Sequence, residues 1–160
     1  MAPTQVARGV NDWFMAIPYE IGHRIVTKHS GFAGAEEELA ELGYGSVRDL
    51  VSDEVEIDAG GFTGAAVLPS GKGLDVFFLY WRAWLEPWSD LSWVGDASYE
   101  EIGEWVVSQV RLSLQGEISG AAVEVDVCQL FRVRDGQVVV YQAYENREQA
   151  LAAIESAPPE

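Results

Sequence analysis

Val6, Val10, Trp13, Phe14 and Ile17 recur at steps of four, three, one and three, which is one face of a helix. That spacing predicts a helix from about Thr4 to a stop at Pro18. Tyr19 to Ser30 is compatible with a further helix beyond the proline, although Gly22 and the β-branched run Ile25-Val26-Thr27 count against it. Ala35 to Leu42 carries good helix formers, acids in its first turn and Gly43 as a terminator, so a short helix is predicted there. Ser46 caps one further turn, Val47 to Val51, and Asp53 to Asp58 alternates as a strand.

Gly60, Gly61, Gly64, Pro69, Gly71 and Gly73 mark a loop leading into Leu74 to Glu86, predicted as a helix ending before Pro87. Phe77, Trp81, Trp84 and Trp88 form an aromatic stripe on its face, flanked by Leu74, Phe78 and Leu85, which predicts burial on most sides. The last third is β-rich: Glu104 to Leu114, Ala121 to Arg134 and Gln137 to Tyr144. Residues 115–120 join the first two of these runs, and an Asp135-Gly136 hairpin turn joins the last two. Asn146 with Gln149 three residues on predicts a capped closing helix, Arg147 to Glu155, ahead of a frayed tail 157–160. This order of elements predicts one α+β domain spanning residues 1–160, with a curved, mostly antiparallel sheet wrapped around its N-terminal helices.

Charge and composition narrow the function classes. Ten Lys and Arg against 26 Asp and Glu give a formal net charge of −16, which repels nucleic acid and anionic membrane surfaces. Yet 48% of the 160 residues are hydrophobic and six are Trp, far too much apolar material for an acidic disordered chain. The acids gather on residues 35–42, on the first strand and on Glu86 to Glu104, a stretch without Lys or Arg, and so read as a solvated exterior. The single cysteine, Cys128, cannot form an intrachain disulfide, and with no secretory leader or bilayer-length apolar run the expectation is a cytoplasmic protein without a membrane segment.

The strings DLVSDEVEID (49–58), GLDVFFLYWRAWLEPW (73–88), GEWVVSQVRLSLQGEISG (103–120) and VCQLFRVRDGQVVVYQAYENREQAL (127–151) resemble the nuclear-transport-factor-2-like superfamily. The likeness is to its SnoaL-like and ketosteroid-isomerase-like branch. It implies a cone-shaped α+β barrel with a mostly apolar cavity, often dimeric through the outer sheet face, here preceded by an atypical helical segment, 1–43. Isomerases, cyclases, dehydratases, epoxide hydrolases and non-catalytic binding modules share that fold, so the fold alone does not choose among them.

The resemblance assigns roles residue by residue. A carboxylate at the end of the first strand serves the isomerases as general base, and the matching position is Asp58. Strand alternation alone gives a competing reading in which Glu54, Glu56 and Asp58 are three solvated acids. The acidic donor of the penultimate strand is replaced by Gln129, and the acid required by the epoxide hydrolases by Ala143, which argues against both of those chemistries. Tyr141, Ala143 and Glu145 fall on the implied cavity face, with Tyr141 a candidate phenolic donor and Glu145 an acid at the mouth. Phe77, Trp81, Trp84, Trp88 and Val127 are implied as walls, suited to a flat apolar ligand unless the rings fill the cone. His23, near Tyr19, is a candidate donor or base if its segment folds over the cavity.

Other chemistries lack a residue set. His23 and His29 have no partners at metal-ligand spacing, so neither a metal site nor a cofactor is expected. There is no GxSxG string, and Lys72 is followed by Gly73 where a phosphate loop needs Ser or Thr. The expected function is a cofactor-independent isomerase, cyclase or dehydratase acting on an apolar carbonyl compound. The alternative is a non-catalytic small-ligand-binding or dimerisation module, and a homodimer is the expected partner state.

Overall fold

A computed structural model describes residues 1–62, 68–116 and 121–158. The predicted loop residue Gly64, most of the connection 115–120 and the last two residues of the tail lie outside those described. Five helices, α1 (Pro3–Ala16), α2 (Tyr19–Lys28), α3 (Phe32–Glu41), α4 (Leu74–Leu85) and α5 (Arg147–Ser156), accompany seven strands. The strands are β1 (Val51–Gly61), β2 (Ser70–Lys72), β3 (Trp88–Trp93), β4 (Ser98–Ile102), β5 (Trp105–Gly116), β6 (Ala122–Arg134) and β7 (Gln137–Tyr144). They form one sheet in the order β2-β1-β7-β6-β5-β3, with β4 also on β5. All pairings are antiparallel except β1 with β7, so the sheet is mixed but mostly antiparallel. Helices α1 to α4 pack on its inner face, giving the open cone that the element order predicts.

Several departures from the sequence reading have local causes. Residues 19–28 are helical despite Gly22, because Pro18 stands at the N-cap and Glu20 and Lys28 suit the two ends of the dipole. Gly22 is also what lets α2 approach α4: a Cβ there would sit 3.0 Å from a Leu85 methyl and 3.3 Å from the Trp81 ring. Helix α4 ends at Leu85, so Trp88 opens β3 and leaves the stripe that spacing assigned to it. Strands β2, β3 and β4 were not legible as strands. β2 is fully exposed and only three residues long, whereas β3 and β4 lie end to end on one edge of β5, interrupted near Gly95 at φ 68°. The Asp135-Gly136 turn has positive φ at both central residues, 53° and 76°, as a type I′ hairpin requires.

The long strands β5 and β6 have two regimes of burial. From Val110 to Leu114 inward apolar residues alternate with Arg111 and Ser113, which face outward. From Trp105 to Ser108, and over Val127 to Val133 of β6, whose residues 129–132 stand opposite them, both faces are buried. The outer side is covered there by α5, whose Ala150, Leu151 and Ile154 pack on Trp105, Val107, Cys128 and Leu130. Asn146 caps this helix, its side chain accepting from the Gln149 N–H at 3.0 Å, while Glu145 N–H donates back to Gln149 at 2.9 Å. Gly22→Val is expected to wedge α2 from α4 and destabilise the fold by about 1–3 kcal/mol, read as a lower midpoint in urea unfolding.

Candidate functional site

A cavity of about 370 Å³ lies between the α1–α2 turn, α4, β3 and the inner faces of β5 and β6. Its helical wall is Tyr80, Trp81, Trp84 and Leu85, and Phe14 and Ile17 close the side toward α1. Opposite them stand Val110, Leu112 and Val127 of the sheet, with Leu91 and Trp93 of β3 at the edge. The aromatic rings therefore line the cone without filling it. Trp81 is held by Trp13, with ring centroids 5.1 Å apart, and Phe14 stacks on Phe77 at 5.6 Å. Tyr19 fixes α2 over the end of α4, its hydroxyl donating to the carbonyls of Leu85 and Trp88.

The polar groups on this wall are few and neutral. Among the described residues lining the cavity there is no carboxylate, imidazole, ammonium or guanidinium; Tyr19, Tyr80, Ser92 and Gln129 are polar, and the tryptophans carry indole N–H groups. Behind two of these runs a buried chain of hydrogen bonds. The side-chain amides of Asn11 (0% exposed) and Gln129 (4%) pair reciprocally, Asn11 Nδ2 donating to Gln129 Oε1 at 2.8 Å and Gln129 Nε2 to Asn11 Oδ1 at 3.0 Å. Asn11 Nδ2 also donates to the Tyr99 hydroxyl at 3.1 Å, and Gln129 Nε2 to the Tyr141 hydroxyl at 3.2 Å. The Tyr141 and Tyr80 hydroxyls then meet at 2.5 Å. Burial pushes the Tyr80 phenol up to about 12 and holds the Tyr141 phenol well above the ordinary tyrosine value, so both stay protonated at neutral pH.

The predicted site residues separate into two groups. Tyr19, Trp81, Trp84, Val127 and Gln129 line the cavity. Phe77, Trp88, Ala143, Tyr141, Glu145, Asp58 and His23 do not. Phe77 is turned toward Trp13 and Phe32, and Trp88 belongs to β3. Ala143 is fully buried, and Glu145 is exposed just past the end of β7. Tyr141, only 3% exposed, stands behind the wall, hydrogen-bonded to the lining residues Tyr80 and Gln129. Asp58 follows the alternation that buries Val55, Ile57 and Ala59, so it lies on the exposed face of β1 and accepts a hydrogen bond from Ser70 at 3.3 Å. His23 is half-buried, its ring 5.4 Å from that of Tyr19.

Two site residues escaped sequence reading. Asn11 shares the buried α1 face with Val6, Ala7 and Val10, so a polar residue one step beyond Val10 on an apolar stripe was the available signal. Tyr80 lies one turn before Trp84 on α4, where the surrounding rings hid it as one more apolar residue. Among the described residues no group of three or more His, Cys, Asp or Glu side chains is arranged to hold a metal ion. No helix of the described residues is long and apolar enough to cross a membrane.

The raised phenols fix a pH dependence. An unfolded tyrosine ionises near pH 10, so the stability these phenols contribute is complete below about pH 10 and is lost as pH rises through the folded value. Urea unfolding is expected to be flat in this respect up to about pH 10 and to lose on the order of 2 kcal/mol by about pH 12 through Tyr80, with a shallower loss in Tyr80→Phe.

Comparison with known proteins places this geometry. No curated protein matches the chain significantly. Among solved structures, it is similar to a SnoaL-like protein from Jannaschia sp. CCS1, a proposed polyketide cyclase, at 23% identity and a TM-score of 0.50 over 70% of this chain and 77% of that one. It is similar to an NTF2-like protein from Anabaena variabilis at 16% identity and a TM-score of 0.52, covering 79% and 90% of the two chains. TerC, co-crystallised with polyporic acid, aligns at 16% identity and a TM-score of 0.52 over 79% and 94%. At these identities the structures establish a shared fold. The SnoaL-like domain model matches residues 37–141, most of the sheet and the whole of α4, and the chain belongs to the SnoaL-like family of the NTF2-like fold.

Proposed function

We propose that the protein binds a small, flat, predominantly apolar carbonyl compound inside the cone. The observation that carries this reading is the cavity itself, about 370 Å³ walled by Trp81, Trp84, Phe14 and Trp93, with neutral polar groups gathered at Tyr80 and Gln129. A space of that size accommodates a ligand of two to four fused rings, and apolar walls with a few placed polar atoms are what such a ligand needs. The co-crystal of TerC with polyporic acid supports a small-molecule ligand in this fold.

A second reading, a cofactor-independent isomerase, cyclase or dehydratase, is favoured by membership of the SnoaL-like family and by Tyr80 in the wall. In that reading the cavity holds a flexible carbonyl chain near its reactive conformation and Tyr80 polarises the oxygen. The candidate base in this reading is His23, outside the lining but with its ring 5.4 Å from that of the lining residue Tyr19, since Asp58 lies on the exposed face of β1.

Two measurements test these readings. Fluorene, titrated against tryptophan fluorescence, is expected to bind and to raise the melting temperature. Val127→Phe, which fills the cavity, should weaken binding at least about ten-fold while leaving the far-ultraviolet circular dichroism unchanged. Unaltered binding in that folded variant would place the ligand elsewhere. Asp58→Asn is expected to leave fluorene binding within about two-fold of the parent, as befits an exposed residue outside the wall.

A further inference from the structure

The hydrogen-bond chain behind the cavity has a direction, and hydrogen counting fixes it. Each side-chain amide nitrogen carries two hydrogens and each amide oxygen none. In the Asn11–Gln129 pair, two of the four amide atoms have two partners each: the one between Gln129 and Tyr99, and the one between Asn11 and Tyr141. Assigning those two positions to nitrogen satisfies all four buried N–H groups. Exchanging oxygen and nitrogen in both side chains gives each nitrogen a single partner and strands two N–H groups where Asn11 is 0% and Gln129 4% exposed. Exchanging only one sets oxygen against oxygen or nitrogen against nitrogen. The chain therefore begins at the amides, and Gln129 Nε2 donates to the Tyr141 oxygen.

The remaining links follow. Tyr141 is buried outside the cavity wall, and its hydroxyl has two described partners, Gln129 and Tyr80. With Gln129 as donor, the acceptor for the Tyr141 proton is the Tyr80 oxygen, 2.5 Å away. That oxygen accepts from Tyr141, so the Tyr80 proton is left for the cavity, which Tyr80 lines.

We propose that the inner end of the cavity presents a single directed hydrogen-bond donor, the Tyr80 hydroxyl, and so selects apolar ligands that carry an acceptor oxygen, such as polycyclic ketones and quinones, over isosteres that can only donate. This inference rests on the proposed binding of flat apolar molecules in the cone. Tyr80 is the residue that touches the ligand oxygen; Tyr141, Gln129 and Asn11 are positioning residues that fix the direction of its proton. Tyr141, the candidate donor that the family resemblance implies, stands one hydrogen bond behind Tyr80.

The test uses three probes of nearly one shape: fluorene, with neither donor nor acceptor, fluorenone, with an acceptor carbonyl, and carbazole, with a donor N–H. Tyr80→Phe is expected to weaken fluorenone binding about five- to ten-fold, while fluorene and carbazole stay within about two-fold. Weakened carbazole with unchanged fluorenone would show the chain running the other way and overturn the proposal. Fluorene binding with no selective effect on fluorenone would overturn it too, leaving the binding cavity intact, whereas failure of all three probes to bind would remove both. The parent protein gives a readout that does not depend on the variant folding. The infrared carbonyl stretch of bound fluorenone should fall below its value in hydrocarbon solvent, and an unshifted band contradicts a donor at that end.

Discussion

A side-chain amide cannot be buried without satisfying its donors, and in this fold that requirement joins the two ends of the chain. Asn11 and Gln129, separated by 118 positions, complete one another at the base of the cone. If α1 slid along the sheet by one residue, Val10 or the acid Asp12 would face Gln129 in place of Asn11, and the reciprocal amide pair would be lost. The pair thus fixes how α1 sits on β6, and through the α1–α2 turn it fixes Phe14, Ile17 and Tyr19 on the cavity wall. Apolar packing makes the cone stable, while this polar contact sets its register.

The cavity persists because its walls are braced from behind. Trp81 and Phe77 rest on Trp13 and Phe14, and Tyr80 is held edge-on against Tyr141, 4.9 Å between centroids. Phe131 in turn packs edge-on against Tyr141 at 5.1 Å. On the outer side, α5 buries the ends of β5 and β6 that would otherwise expose Trp105 and Leu130. The acidic excess lies outside this frame, where Glu104 bridges Arg132 and Arg134 and Arg111 pairs with Asp126. Charge keeps the exterior hydrated, and the buried Arg132 is matched by Glu104 at 2.9 Å.

Much of this was legible in the sequence because it was written in periodicity. The 3.6-residue spacing of α1 and α4, the Asp135-Gly136 turn and the Asn146 cap each correspond to a local physical rule that the structure obeys. Strands β3 and β4 were not legible, since their half-exposed residues alternate weakly and their pairing with β5 is a long-range choice. Of the stripe and the residues that the family resemblance pointed to, Trp81, Trp84 and Gln129 line the cavity, whereas Phe77 and Trp88 do not. Tyr80 and Asn11 could not be assigned roles, because those roles depend on partners across the sheet, and Tyr141 was placed one hydrogen bond from its actual position in the chain. Asp58 shows the converse: simple alternation along β1 was the better guide to its side chain.

The account stands on the satisfied amide pair and the direction it imposes on the protons beyond it. Nuclear magnetic resonance of the Asn11 and Gln129 side-chain amides tests this most directly, assigned through variants at each position. The prediction is that both hydrogens of each amide are protected from solvent exchange at neutral pH, and that Tyr141→Phe removes protection from one Gln129 hydrogen while sparing those of Asn11. Rapid exchange of either amide in the folded parent protein would contradict it.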